Sequence, residues 1–70
     1  MANYYVSFEK SRSFYGAGKR RYFDYSKDAV IRMAKKDADD MKADEFTVYC
    51  MPKMDIVGNW MKKGTRWYKW

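Results

Sequence analysis

The stretch from Ser26 to Ala43, SKDAVIRMAKKDADDMKA, is the one segment of this chain whose apolar residues recur at helical spacing. At about 100° per residue, Val30, Met33, Ala34, Ala38 and Met41 share one side with Ile31 at its margin. Arg32, Lys35, Lys36, Asp39, Asp40 and Lys42 fall opposite, so one face is buried and the other is wet. Ser26 can cap the start through its hydroxyl, Asp28 sits in the positive first turn, and Tyr25 and Val30 occupy the positions of a hydrophobic staple. The pairs Asp28/Arg32, Lys35/Asp39 and Lys36/Asp40 are spaced i,i+4 and describe an ordinary solvated face, each contributing about 0.2–0.5 kcal/mol. Two alanines on the buried side let the helix axis come close to a partner layer. That layer must then supply the bulk.

Aromatic side chains supply it. The chain has 3 Trp, 7 Tyr, 4 Phe and 6 Met, and no Leu. Most of the rings lie in short runs with period-two alternation. Asn3 to Glu9 reads as a first strand with Tyr4, Val6 and Phe8 inward. After a loop with Gly16, Ala17 and Gly18, Lys19 to Tyr25 reads as a second strand. The staple would turn Tyr25 inward, and Phe23 with it, leaving Arg20 and Tyr22 facing away. Glu45 to Met51, ending at Pro52, reads as a third strand with Phe46, Val48 and Cys50 inward.

The last segment fits two structures. Asp55 to Gly64 could form a short helix with an Asp N-cap and a Gly C-cap. The preferred reading is a hairpin, because Lys62-Lys63-Gly64 has the form of a three-residue turn between two aromatic runs. In that register Trp60 opposes Arg66, and Tyr68 lies across Gly58 and offsets part of the glycine's cost. One hairpin face then carries Ile56, Trp60, Arg66, Tyr68 and Trp70, and the other Val57, Asn59, Met61, Thr65, Trp67 and Lys69. The fold class expected is α+β: a single small domain over residues 1–70, ordered ββαβββ, with an antiparallel sheet and one helix across one face.

Several function classes are disfavoured by composition. With no histidine and Cys50 as the one cysteine, the chain offers no intrachain disulfide, no usual zinc site and no Ser/His or Cys/His nucleophile. No general base is ready at neutral pH, so a non-enzymatic role is expected, with no cofactor, metal or small-molecule substrate. The run Gly16-Ala17-Gly18-Lys19 lacks the spacing and following helix of a phosphate loop and reads as a turn. The acids Asp37, Asp39, Asp40, Asp44 and Glu45 scatter around a helix end instead of forming a calcium loop; Asp37, on the flank of the apolar face, is expected at the rim beside a basic partner. No apolar run approaches the roughly 20 residues of a membrane span. The expected location is the cytoplasm, or the host cytoplasm for a virus-encoded chain.

Charge points to the partner. The net charge is +6, and the cations concentrate on either side of the helix. If the flanking segments form one sheet, the molecule presents a positive, aromatic side suited to a polyanion or an acidic protein surface. Arg20, Arg21, Lys62, Lys63, Arg66 and Lys69 are the expected phosphate contacts, joined by Arg12 and Lys19. Tyr22 and Trp67, or Trp60, are the expected stacking surfaces, with Tyr5, Tyr49 and the last Trp in the same constellation. Nucleic acid is the first expectation. The second is a small protein-binding inhibitor or adaptor in which the same Trp, Tyr and Arg residues anchor an interface. In size and style the chain is similar to small accessory proteins of phages and mobile elements that block host machinery. An edge strand carrying tryptophan could also pair with its copy as a homodimer.

Overall fold

The computed structural model describes residues 2–10 and 18–70. The expectations for Arg12 and for the Gly16–Ala17 turn lie outside the described residues. The elements run β1 (Ala2–Glu9), β2 (Gly18–Tyr25), α1 (Lys27–Asp40), β3 (Glu45–Cys50), β4 (Asp55–Lys63) and β5 (Arg66–Lys69). They form one five-stranded antiparallel sheet of order β2-β1-β3-β4-β5, with α1 carrying the chain from β2 across β1 to β3. This is the expected α+β architecture, and residues 55–63 are strand, not helix. No helix among the described residues is long and apolar enough to cross a membrane.

α1 packs on β1, β2 and β3 through its small face. Val30, Ala34 and Ala38 are fully buried, and Ile31, Met33 and Met41 pack around them. Against them the sheet sets Tyr4, Val6, Phe8, Phe46 and Val48, the inward residues of β1 and β3 that alternation predicts. The Ser26 hydroxyl accepts the Ala29 N–H at 3.3 Å, as a cap should.

The far end of the helix comes earlier than expected, for a backbone reason. Lys42 takes a left-handed φ of 58°, donating its N–H to the Asp39 carbonyl, while Ala43 donates to that of Ala38. The pattern is a Schellman cap, with buried Ala43 and Ala38 forming its apolar contact. A lysine in this conformation costs about 1–2 kcal/mol that glycine would not. Lys42→Gly is therefore expected to raise the urea midpoint, with a gain of about 1 kcal/mol after glycine's greater freedom in the unfolded chain is set against it.

The terminal hairpin forms in a different register from the expected one. Lys63 pairs with Arg66, Lys62 with Trp67, Met61 with Tyr68 and Trp60 with Lys69. The loop is two residues, Gly64-Thr65, with Gly64 at φ 64°, not the three-residue turn through Lys62. A two-residue loop matches the twist of its strands, and here it places Trp60 and Trp67 on one face, both against Phe46. The expected register would have split the two indoles between opposite faces. Gly58 is crossed by Trp60 and Lys69, not by Tyr68: a Cβ there would stand 2.8 Å from Lys69 Cε and 2.9 Å from the Trp60 ring. The lysine tip can move, but the ring is held by Phe46. Gly58→Ala should cost about 1–3 kcal/mol by pushing Trp60 off its stack, read as a lower melting temperature.

Candidate functional site

Helix α1 covers one face of the sheet and leaves the other bare. Register assigns the residues of the bare face row by row. Arg21, Tyr5, Tyr49 and Ile56 lie side by side across β2, β1, β3 and β4. The next row holds Lys19, Ser7, Thr47 and Asn59, and the row beyond it Glu9, Glu45, Met61 and Tyr68. Trp70 donates its backbone N–H to the Asn59 carbonyl at 2.9 Å and ends the second row. Lys63 and Arg66 flank the β4–β5 turn at the opposite edge from Lys19 and Arg21.

Two features distinguish this face. First, Tyr5 and Tyr49 sit across the β1–β3 ladder with ring centroids 5.9 Å apart and planes tilted by 52°, a side-by-side pair at the centre of the sheet. Second, Ile56 and Trp70 are exposed over 64% and 68% of their surface, which is unusual for large apolar groups in a domain this short of core material. Between them the Thr47 hydroxyl donates to Asn59 Oδ1 at 2.6 Å, leaving the amide NH₂ as the donor on that row. Rings thus lie on the two central strands, hydrogen-bonding groups beside them and cations at both edges of the face.

The structure divides the residues expected here from sequence. Arg21, Lys63 and Arg66 belong to the bare face. Arg20, Tyr22, Lys62, Trp67 and Lys69 lie on the helix side. The assignment of Tyr22 outward and Phe23 inward is overturned: Tyr22 is 5% exposed and Phe23 61%. The cause is an irregularity at Asp24, where φ is 63° and the backbone N–H is donated to Asn3 Oδ1 at 2.9 Å. One extra residue reverses the alternation, so Tyr22 and Tyr25 share the helix side and their rings meet edge to face at 6.4 Å.

Tyr22, Arg20 and Asp37 form the polar cluster of that side. The tyrosine hydroxyl donates to Asp37 Oδ2 at 2.5 Å, and Arg20 Nη1 stands 2.8 Å from the same oxygen. Asp37 thus has the basic partner its place on the helix flank implied. Burial raises the Tyr22 pKa, and the bond to Asp37 raises it further, so the phenol stays protonated well above its usual range. For Asp37 burial pushes upward, but the hydrogen bonds from Tyr22 and Arg20 and the nearby cations outweigh it, and the carboxyl is held below its usual value. The sign follows. A depressed folded pKa contributes stability above the unfolded value near 4, and that contribution is lost as pH falls through the folded pKa. Asp37→Asn should cost about 1–3 kcal/mol at neutral pH, and urea titrations should show the gap to the parent closing below about pH 4.

Lys62 and Lys69 have a packing role. Lys62 Nζ is 2.5 Å from Asp39 on α1 and 5.7 Å from the Trp67 ring centroid, and Lys69 Nζ lies 5.7 Å from that of Trp60. Both cations lie over tryptophan rings, and the Lys62 ammonium group also ties β4 to α1 through Asp39. Tyr68, Asn59, Thr47 and Ile56 are the face residues that the expected site left out. Strand alternation had already placed Thr47 and Tyr49 outward; the shifted hairpin register hid the others. No known protein family matches the chain, and neither a curated protein nor a solved structure matches it.

Proposed function

We propose that this protein is a non-enzymatic module that binds single-stranded nucleic acid on the bare face of its sheet. The observation that carries the reading is the Tyr5–Tyr49 pair, set on the two central strands of the face that the helix leaves open, with Lys19 and Arg21 beside it on the β2 edge and Lys63 and Arg66 at the far end of the β4–β5 hairpin. Bases stack on such rings for about 1–3 kcal/mol each, and edge cations hold the phosphates on either side. Unpaired bases are needed because a duplex keeps its own π faces stacked inside. Glu9 and Glu45 stand in the row between the tyrosine pair and Lys63–Arg66 and repel phosphates, so a strand that reaches both groups crosses on the β4 side, past Asn59 and Met61.

The test is a fluorescence titration with single-stranded and duplex oligonucleotides of equal length in dilute salt, with exposed Trp70 as reporter. Tighter binding of the single strand is expected. Failure to bind either one in dilute salt would remove the proposal.

A further inference from the structure

The outer backbone edge of β2 and its helix-side flank are a different surface from the bare face, although Lys19 and Arg21 of the same strand point into that face. β2 ends the sheet, and among the described residues no strand pairs with its outer side. Protected edges are usually short or kinked. This one is eight residues long, kinked near its end at Asp24, and has the cations Lys19, Arg20 and Arg21 along its first half. Its second half exposes Phe23 and Tyr25, over 61% and 44% of their surface. A cleft wraps from these two rings around the edge to Met33 and Lys36 on α1, and continues beside Tyr25 to Arg32. On the helix side its lining sets the apolar surfaces of Tyr25, Ala29 and Met33 beside the cations Arg32 and Lys36. Of the nearby carboxylates, Asp37 is held by Tyr22 and Arg20, and Asp24 is engaged within the chain.

We propose that this edge receives an extended acidic segment of a protein partner, which joins the sheet as a sixth strand beside β2. Backbone N–H and C=O groups of β2 pair with those of the segment, an apolar side chain covers Tyr25 and Met33, and carboxylates on the same side meet Arg32 and Lys36. Charge selects the partner. A second copy of this chain would bring a net charge of +6 and the same Lys19–Arg21 run to an edge that is already positive. Nucleic acid has no backbone that can continue a β-ladder.

The probe is a fluorescent peptide as long as β2 in which Glu alternates with Val around one Phe, compared with its Lys-for-Glu counterpart. Anisotropy measures binding to the full chain, and amide hydrogen exchange locates it. The acidic peptide is expected to bind and to slow exchange at the outward amides of β2, while the basic peptide does not bind. Arg32→Glu/Lys36→Glu, at two exposed helix positions, should weaken the acidic peptide by about tenfold or more and admit the basic one. Equal binding of the two peptides, absence of binding, or protection confined to β1 and β3 would overturn the proposal. Sedimentation of the peptide-free chain as a dimer with protected β2 amides would assign the edge to a second copy, and the same protection by an oligonucleotide would assign it to the nucleic-acid surface. Arg32 and Lys36 lie outside the bare face, so loss of either proposal leaves the other standing.

Discussion

Phe46→Ala should leave little folded protein at physiological temperature. Phe46 is 1% exposed and is the hub of the aromatic core: Trp60 stacks on it at 5.3 Å, Trp67 meets it edge to face at 5.0 Å, and Phe8 lies at 6.1 Å. Truncating a buried phenylalanine typically costs about 3–5 kcal/mol, and a domain of this length has roughly 4–10 kcal/mol in total. The loss is magnified here because α1 contacts β1, β2 and β3, so Trp60 and Trp67 depend on Phe46 for much of their shelter. Circular dichroism and urea titration should show a midpoint near zero denaturant, and Trp fluorescence should shift to the red as both indoles meet water. Phe23→Ala, at an equally large but exposed ring, is the control and should leave the midpoint within about 0.5 kcal/mol of the parent.

Tyr5→Ala/Tyr49→Ala should weaken single-strand binding by two orders of magnitude or more while leaving its salt dependence unchanged. Each ring lost removes about 1–3 kcal/mol of stacking, and stacking releases no counterions. Lys63→Ala/Arg66→Ala should do the reverse. Each phosphate contact steepens the fall of affinity with salt by about 0.7 on a log–log plot for single strands, so the double variant should flatten the slope by about one to two contacts and bind most weakly, relative to the parent, in dilute salt. Lys62→Ala separates this interpretation from a diffuse charge effect. Lys62 is tied to Asp39 and Trp67, so its loss should lower stability more than it changes the slope. A parent-like affinity in both double variants would remove the bare face as the binding surface.

How far the sequence reaches is clearest where local rules act alone. Ser26 as cap, the alanine face of α1 and the inward residues Tyr4, Val6, Phe8, Phe46 and Val48 follow from period and chemistry, because neighbours in sequence decide them. The face of Tyr22 and the register of the last hairpin do not. Both depend on a single residue's backbone angle, at Asp24 and Gly64, and one residue more or less in a strand exchanges its two faces. Lys62-Lys63-Gly64 and Gly64-Thr65 are both acceptable turns by composition; the choice is made by Phe46, whose surface two indoles can share only in the shorter loop. The candidate site inherited this error. Its cations at Arg21, Lys63 and Arg66 were legible, while the rings assigned to stacking from Tyr22 and Trp67 turn out to be parts of the core.

The strand order also governs what a ribosome must manage. β1 is made early yet lies inside the sheet, with β2 on one side and β3 on the other. Its partner on the first side follows quickly, but Tyr5 waits for Tyr49, and Tyr4, Val6 and Phe8 wait with it for the helix and β3 that will cover them. At about 5–20 residues per second this leaves an apolar strand half-paired for seconds during synthesis, a template for misassociation between nascent chains. The neighbouring strand carries Lys19, Arg20 and Arg21, so the unfinished hairpin is strongly cationic and repels its own kind. Arg21, proposed above as a phosphate contact in the finished protein, thus serves as a gatekeeper while the protein is being made.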